Sequence, residues 1–176
     1  MQVAAGTRAL VTGASRGIGR ALAVALAARG ATLGLAARST KELEQLATEL
    51  PGTHHALHCD VADASSTQHA IDRFVATTGG LDLLIANAGV AHYANFAAQP
   101  LEQKLQMSQV NWQGTLHAVH FALPHMLEAH KGHIVTSPAA PACAPSRTPP
   151  STAPPRPPSA PSARRCATSS RAPASR

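Results

Sequence analysis

Short apolar runs alternate with longer helical segments between Arg8 and Thr136, and this alternation limits the possible folds more than any other feature. The first run, RALVT, stops at a glycine and is followed by the Ala- and Leu-rich segment GIGRALAVALAARG. The alternation continues until a fifth strand begins at HIVTS. Strands separated by helices of this length form a parallel sheet that is covered on both faces. Because crossovers are right-handed, the sequence predicts an α/β fold with a doubly wound sheet of order 3-2-1-4-5.

The fourth predicted strand, LDLLIANAG, precedes a long helical segment that runs from Pro100 to Gly132. We expect this helix to be interrupted near its start. We also expect it to be perturbed at Pro124, because an interior proline removes a backbone hydrogen bond. Trp112 and Phe121 are expected to be packing residues rather than substrate contacts.

The segment TGASRGIG, from Thr12 to Gly19, lies between the first strand and the first helix. Its three glycines let the backbone turn sharply and approach a ligand closely. The free N–H groups at the start of the following helix carry a partial positive charge and favour a phosphate. An ordinary glycine-rich loop is the alternative. The place of the segment, after the first strand of an alternating pattern, favours a phosphate-binding turn.

Four motifs resemble those of the short-chain dehydrogenase/reductase family in their order and in the elements that carry them. They are TGASRGIG after the first strand, CDV at the end of the third, ANAG at the end of the fourth, and Asn111 in the long helix. The resemblance runs from about Arg8 to Thr136. It implies a Rossmann-like fold and an oxidoreductase that uses a nicotinamide dinucleotide to act on an alcohol or carbonyl substrate.

The resemblance also implies roles for individual residues. Those expected to bind the cofactor are Gly13, Ser15, Arg16, Gly17, Ile18, Gly19, Arg38, Asp60, Val61, Asn87, Ala88 and Gly89. Asp60 and Val61 would contact the adenine ring, and the ANAG segment would pack beside the cofactor. Asn111 would help position a catalytic lysine through a water molecule. Without the resemblance, Asn87 would be interpreted as a turn residue and Asn111 as a polar residue facing solvent.

The end of the second strand indicates which dinucleotide is bound. Members of the family that bind NAD(H) place an acid here for the ribose 2′-hydroxyl, whereas this chain has Ala37 and Arg38. Arg16 lies in the glycine turn, and two guanidinium groups can hold a 2′-phosphate by charge-assisted hydrogen bonds. We therefore expect a preference for NADP(H) over NAD(H). The alternative is that either arginine is only a surface charge.

The sequence lacks the catalytic pair of the family, which is Tyr-x-x-x-Lys on the helix after the fifth strand. The phenol protonates the alkoxide that hydride transfer produces, and the ammonium lowers the pKa of the phenol. Here the only tyrosine is Tyr93, which precedes the long helix, and the last lysine is Lys131. Ser137 lies near the place of the serine that holds the carbonyl oxygen in the family. We expect the chain as written to be inactive.

The composition changes abruptly after Thr136. Residues 137–176 consist of Pro, Ala, Ser, Arg, Thr and Cys, and their six arginines account for the whole net charge of +6. We predict an incomplete dinucleotide-binding domain over residues 1–136 and a disordered, low-complexity tail over residues 137–176. The fifth strand would then be an exposed sheet edge beside an uncovered apolar face.

A shift of reading frame near Thr136–Pro138 would explain this tail, because GC-rich coding DNA tends to give such a composition when it is read out of frame. The last base of each codon from Ser151 onward can be joined to the first two bases of the next codon. The residues then permitted include Tyr-Cys-Ala-Ser-Lys-Ala-Ala-Leu, which contains Tyr-x-x-x-Lys. The junction of Pro138 and Ala139 likewise permits the serine of the family. A sequencing error or a pseudogene would produce this pattern.

Three classes of function remain open at this point. The first is a fragment of an NADP(H)-dependent oxidoreductase with a small-molecule substrate, and the second is a catalytically inactive dinucleotide-binding protein. The third is a basic protein that interacts through its tail. We expect no specific nucleic-acid partner, because the tail has no aromatic residues for base stacking. Intact relatives are usually homo-oligomers through the long helix and its successor, so the missing successor puts assembly of this chain in doubt.

Ten histidines raise the question of a metal site. His54, His55 and His58 share a strand, and His117 and His120 are three apart on a helix, but no carboxylate or cysteine completes a ligand set. We therefore predict no metal. The cysteines have no metal spacing, and neither a signal peptide nor a membrane-spanning run is evident, so we expect a cytoplasmic protein with no membrane partner.

Overall fold

The computed structural model describes residues 3–92 and 94–137. The predicted disordered tail and the proposed frame shift therefore lie outside the described residues, except for Ser137. Tyr93 also lies outside them. The division of the chain at residue 136 stays a prediction.

Strands and helices alternate along the described chain, as the pattern of apolar runs predicts. In chain order the strands are β1 (Arg8–Thr12), β2 (Thr32–Ala37), β3 (His54–His58), β4 (Leu83–Ala86) and β5 (His133–Thr136). The α-helices are α1 (Gly17–Ala27), α2 (Thr40–Glu49), α3 (Ala64–Thr78), α4 (Leu101–Met107) and α5 (Gly114–Glu128). A π-helical segment, Ser108–Gln113, joins α4 to α5.

The strands form one sheet of order β3-β2-β1-β4-β5, and every neighbouring pair is parallel. This order confirms the predicted doubly wound α/β fold. Val11 in β1 lies beside Leu35 in β2 and beside Ile85 in β4, and Ile85 lies beside Val135 in β5. The direction of strand order reverses at the junction of β1 and β4, which is where such sheets bind ligands.

Two apolar cores cover the faces of the sheet. On one face, α1 and α2 pack on the strands through buried aliphatic residues that include Val11, Ala23, Leu26, Leu35, Leu43, Leu46 and Ile85. On the other face, α3, the π-helical segment and α5 pack through Leu10, Leu57, Ile71, Phe74, Leu84, Val110, Ala118 and Met126. Strands buried on both faces are nearly continuous apolar runs in sequence, which explains why β1, β2 and β4 could be recognised.

β5 is covered less completely than its neighbours. Ile134 packs against the core formed by α3 and α5. Val135, which points to the opposite face, is 46% exposed, whereas its neighbour Ile85 is 5% exposed. An apolar side chain at the margin of the sheet is thus left in contact with solvent.

The long helix is interrupted in its first half, by the π-helical segment that follows the seven residues of α4. Pro124 lies inside α5, which continues beyond it to Glu128. His120, whose carbonyl loses its helical partner to the proline, is an exposed residue, so water can bind there. Trp112 is 66% exposed, so it does not pack in the core of this chain.

An ion cluster at the amino ends of the strands ties β1, β4 and β5 together. The Nε and Nη2 atoms of Arg8 donate to the two carboxylate oxygens of Asp82, each at 2.9 Å. Lys131 Nζ lies 3.2 Å from Asp82 Oδ1. Asp82 is 5% exposed, and hydrogen bonds from Arg8 hold the pKa of its carboxyl far below the ordinary range. This buried charge is therefore fully paired.

None of the helices in the described ranges combines the length and the apolar character needed to span a bilayer.

Candidate dinucleotide-binding site

A cleft of about 730 Å³ lies at the carboxyl ends of β1 to β4, between the loops that follow these strands. It gathers most of the predicted site residues, although they are far apart in sequence. Those that line it are Gly13, Ser15, Arg16, Gly17, Ile18, Arg38, Asp60, Val61, Asn87, Ala88, Gly89 and Ser137. Gly19 and Asn111 are the two predicted residues that do not line it.

The turn after β1 requires glycine at two positions for reasons of packing. Gly13 has a φ of +69°, and a Cβ atom there would lie 2.8 Å from the Cα atom of Ala88. A Cβ atom at Gly19 would collide with the carbonyl oxygen of Gly13 and would lie 2.6 Å from Asn87 Nδ2. The turn is thus folded tightly against the loop after β4, which holds its backbone in place at the floor of the cleft.

Thr12 and Asn87 join these two loops by hydrogen bonds. The hydroxyl oxygen of Thr12 accepts from the backbone N–H groups of Asn87 and Ala88, at 3.0 Å each. The side-chain amide of Asn87 donates to the carbonyl oxygen of Thr12 at 3.2 Å. Asn87 therefore links the loop after β4 to the carboxyl end of β1. Sequence reasoning did not assign Thr12 to the site, although a hydroxyl residue directly before a glycine turn could have indicated this role.

The start of α1 is available to an anion. Its N-cap residue, Arg16, makes no side-chain hydrogen bond to the helix, and the first turn contains no acid. The first N–H groups of a helix have no partner within the helix and carry a partial positive charge. Together with the close-packed glycine turn, this arrangement fits the pyrophosphate of a dinucleotide.

The loop after β3 is shaped by its own side chains. The N–H of Asp60 donates to Ser66 Oγ at 3.0 Å, and the N–H of Ala62 donates to Asp60 Oδ1 at 3.1 Å. Asp63 is the N-cap of α3, and its carboxylate accepts from the N–H of Ser65 at 2.9 Å. These bonds fix the backbone so that Val61 stands in the wall of the cleft.

Cys59 also lines the cleft, but it is 3% exposed. Burial raises the pKa of its thiol to about 11, and the hydrogen bond with Thr67 offsets only part of that effect. The thiol is therefore protonated at neutral pH and is a poor nucleophile.

The margin of the cleft beside β2 and α2 contains charges of both signs. Arg16 and Arg38 are exposed residues of the lining, and Ala37 ends β2. Ser39 is the N-cap of α2 but makes no side-chain hydrogen bond to that helix. Glu42, in the first turn of α2, lines the cleft as well. Sequence reasoning missed Glu42, although an acid three residues after a helix cap lies over the start of that helix.

Asn111 and Ser137 approach the cleft from the side of β4 and β5. The side chain of Asn111 accepts from the N–H of Val90 at 2.8 Å and donates to the carbonyl of Val90 at 2.9 Å. This pairing occupies the amide of Asn111 and fastens the loop after β4. Ser137 lines the cleft, and its N–H donates to the carbonyl of Ala86 at 3.0 Å. The roles expected for both residues in catalysis stay predictions.

The described residues contain no group of three or more His, Cys, Asp or Glu side chains placed to hold a metal ion. His54 is used structurally, because its Nδ1 atom accepts from the N–H of Leu33 at 3.2 Å and its Nε2 atom lies 3.0 Å from the carbonyl of Pro51.

Comparison with known proteins agrees with this geometry. The family described as short chain dehydrogenase matches residues 7–143. Oxidoreductase UcpA of Salmonella typhimurium is 39% identical over 133 residues, which are 74% of this chain and 50% of that protein. The chain spans about half the length of the curated relatives it matches.

Two solved structures have the same fold. An alcohol dehydrogenase from the archaeon Thermococcus sibiricus, complexed with 5-hydroxy-NADP, aligns with a TM-score of 0.71 at 32% identity, over 74% of this chain and 57% of that chain. A short chain dehydrogenase/reductase from Burkholderia phymatum, in complex with NAD, aligns with a TM-score of 0.74 at 28% identity, over 77% of this chain and 50% of that chain. Because the family match covers most of the sequence and includes every strand of the sheet, the chain belongs to the short-chain dehydrogenase family.

Proposed function

We propose that the described residues are the dinucleotide-binding portion of an oxidoreductase that acts on an alcohol or carbonyl compound. The observation that carries this proposal is the close packing of the glycine turn, where a Cβ atom at Gly13 or Gly19 would strike the backbone or side chain of its neighbours. The open start of α1 beside that turn supports a pyrophosphate site. The relatives support the reaction class, since UcpA is named an oxidoreductase.

NADP(H) is the proposed cofactor. Arg16 and Arg38 lie in the lining of the cleft, and β2 ends in Ala37 rather than an acid. The guanidinium groups can bind a 2′-phosphate by charge-assisted hydrogen bonds. Glu42 works against this preference, because its carboxylate lies at the same margin. Solved relatives bind either 5-hydroxy-NADP or NAD, so the choice depends on the residues of this chain.

When bound, the nicotinamide supplies or accepts a hydride. The glycine turn would hold the pyrophosphate, Asp60 and Val61 would hold the adenine, and the loop after β4 would flank the nicotinamide half. The hydroxyl of Ser137 would bind the carbonyl oxygen of a substrate. Reduction of that carbonyl also requires a proton donor near the oxygen.

The sequence lacks the Tyr-x-x-x-Lys pair that the resemblance assigns to this role. Its single tyrosine is not followed by a lysine at the family spacing, and the buried thiol of Cys59, with a pKa of about 11, is a weak acid. We therefore propose that this chain binds dinucleotide without turnover. A reading-frame shift near Thr136–Pro138 would explain the loss. Resequencing of the gene tests this explanation, which fails if the alternate frame does not encode Tyr-x-x-x-Lys.

Assembly into a homo-oligomer is supported by one surface. Large exposed apolar side chains recur along α4, the π-helical segment and α5, at Leu101, Leu105, Trp112, Leu116, Leu123 and Leu127. Sedimentation of the full chain before and after the change Trp112→Glu tests this part of the proposal, which fails if the unsubstituted chain sediments as a monomer.

Calorimetric titration of the full chain with NADPH and with NADH tests the proposed cofactor. We expect NADPH to bind about tenfold more tightly, because charge-assisted hydrogen bonds contribute more than neutral ones. The change Arg38→Asp should reverse that order. Tighter binding of NADH by the unsubstituted chain would contradict the proposal.

A further inference from the structure

His117 connects α5 to the wall of the cleft formed by the loop after β3. Its Nδ1 atom lies 2.9 Å from the carbonyl oxygen of Val61. Because a carbonyl oxygen only accepts hydrogen bonds, this nitrogen must carry the proton and donate it. His117 is partly buried and does not line the cleft itself. It acts on the cleft only through Val61.

The backbone next to this bond is closely packed. A Cβ atom at Gly114, one turn before His117, would lie 2.6 Å from Val61 Cγ2 and 3.2 Å from the carbonyl oxygen of Val61. Gly114 therefore lets α5 approach until the imidazole can reach that oxygen. Val61 is 6% exposed. If His117 could not donate, solvent would not readily supply another donor to the carbonyl oxygen of Val61.

Other hydrogen bonds of the same loop run to β2 or to α3. The N–H of Cys59 donates to the carbonyl of Ala37 at 3.0 Å, and the N–H of Asp60 donates to Ser66 at 3.0 Å. Among the hydrogen bonds of the described residues, the bond from His117 is the one that ties this loop to α5. It therefore links the position of Val61 in the cleft wall to the position of α5.

The same long helix also contacts the loop after β4, which contributes to the cleft. Asn111, six residues before His117, pairs with both backbone groups of Val90 at 2.8 and 2.9 Å. Val90 and Val61 both line the cleft. The π-helical segment and α5 thus contact two loops of the cleft that follow different strands.

We propose that His117 is a positioning residue for the adenine-binding wall, acting through the carbonyl of Val61. This inference rests on the proposed dinucleotide-binding function. Leucine at this position would fill similar space on the helix but cannot donate a hydrogen bond. Asparagine can, because its side-chain amide reaches about as far as the Nδ1 atom of histidine.

α5 offers a matched control two turns further along. His125 Nε2 lies 3.1 Å from Asp72 Oδ1, so it links α5 to α3 at an exposed site outside the lining of the cleft. The change His125→Leu therefore removes a histidine bond between α5 and the α3 side of the molecule without touching Val61. Any loss of affinity that comes from looser helix packing alone should appear in this variant too.

The experiment is a titration of the full chain and of the variants His117→Leu, His117→Asn and His125→Leu with NADPH and with 2′,5′-ADP. Thermal unfolding of each variant is measured under the same conditions. We expect His117→Leu to weaken both ligands by about three- to tenfold, the range that loss of one hydrogen bond gives. His117→Asn and His125→Leu should remain within about twofold of the unsubstituted chain.

Equal affinities for the unsubstituted chain and His117→Leu would overturn this inference. An equal loss of affinity in His117→Leu and His125→Leu would also overturn it. So would a His117→Asn chain that unfolds at the temperature of the unsubstituted chain but binds the ligands as weakly as His117→Leu. If the unsubstituted chain binds neither ligand, the proposed function fails and this inference fails with it.

Discussion

Two regions of the sheet, one around β1 and β2 and the other at β5, differ in how completely helices cover them. In a single row across the sheet, Leu35 and Val11 are fully buried, Ile85 is 5% exposed and Val135 is 46% exposed. Within the described residues, helices pack on both faces of β1 and β2, whereas β5 has a helix on one face. The cleft is built mainly from the segments that follow β1 to β4, with Ser137 alone contributed from beyond β5.

We propose that this difference separates binding from chemistry. The glycine turn and the loop after β4, which are expected to hold a dinucleotide, pack against each other within the described residues. The family resemblance implies that the residues completing proton transfer follow β5, and residues 137–176 contain no tyrosine or lysine. We therefore expect substitutions in the two regions to have very different effects.

The largest effect is expected at Asp82, which joins both regions. The change Asp82→Asn leaves Arg8 and Lys131 without their shared carboxylate and should lower the free energy of unfolding by about 3–5 kcal/mol. Urea unfolding measures this loss. The exposed pair of Arg20 and Glu49 is the control, and Glu49→Gln should cost less than about 1 kcal/mol. Equal losses in the two variants would contradict the role of the cluster.

The pKa of Asp82 also predicts how stability depends on pH. Its folded-state pKa is depressed, so the carboxylate stabilises the fold above its unfolded pKa of about 4. That contribution is lost as the pH falls further toward the folded-state value. The free energy of unfolding, measured in urea at neutral and at acid pH, should therefore change less for Asp82→Asn than for the unsubstituted chain.

A pair of identical truncations tests the comparison itself. Val11→Ala removes two methyl groups from a fully buried site and should lower the free energy of unfolding by about 2 kcal/mol. Val135→Ala removes the same groups from a half-exposed site and should cost less than about 1 kcal/mol. The two values come from the same urea experiment. Similar losses would mean that β5 is as well covered as β1.

A smaller effect is expected in the choice of cofactor. Glu42→Gln removes a carboxylate from the margin that holds Arg16 and Arg38, and should strengthen NADPH binding by about threefold through reduced repulsion. NADH binding should change less. Glu44→Gln, on the same helix but outside the cleft, is the matched control. A gain that is equal for both dinucleotides would contradict a 2′-phosphate site at this margin.

The smallest effect is expected in cysteine labelling. With a pKa of about 11 and 3% exposure, Cys59 should react with iodoacetamide very slowly at neutral pH in the folded chain. Unfolding in urea should make it reactive, and mass spectrometry of its peptide measures the rate in each state. Rapid labelling without urea would show that this part of the cleft wall opens.

The sequence was informative where burial on both faces made a strand a continuous apolar run, as in β1 and β4. The glycine turn could also be recognised, because only glycine fits the close approach at Gly13 and Gly19. The π-helical segment could not be located, since its residues have no pattern that distinguishes six residues of π-helix from an α-helix. Glu42 and His117 were not assigned to the site, because their positions depend on how α2 and α5 pack.

The most direct test of the separation between binding and chemistry is one experiment on the full chain. The chain is titrated with NADPH by calorimetry, and the absorbance of the reduced nicotinamide is then followed after a panel of aldehydes and ketones is added. We predict saturable binding of NADPH at one site. We also predict that the absorbance of NADPH falls no faster with the chain than in buffer alone. Absence of binding, or enzyme-dependent oxidation of NADPH, would contradict the account.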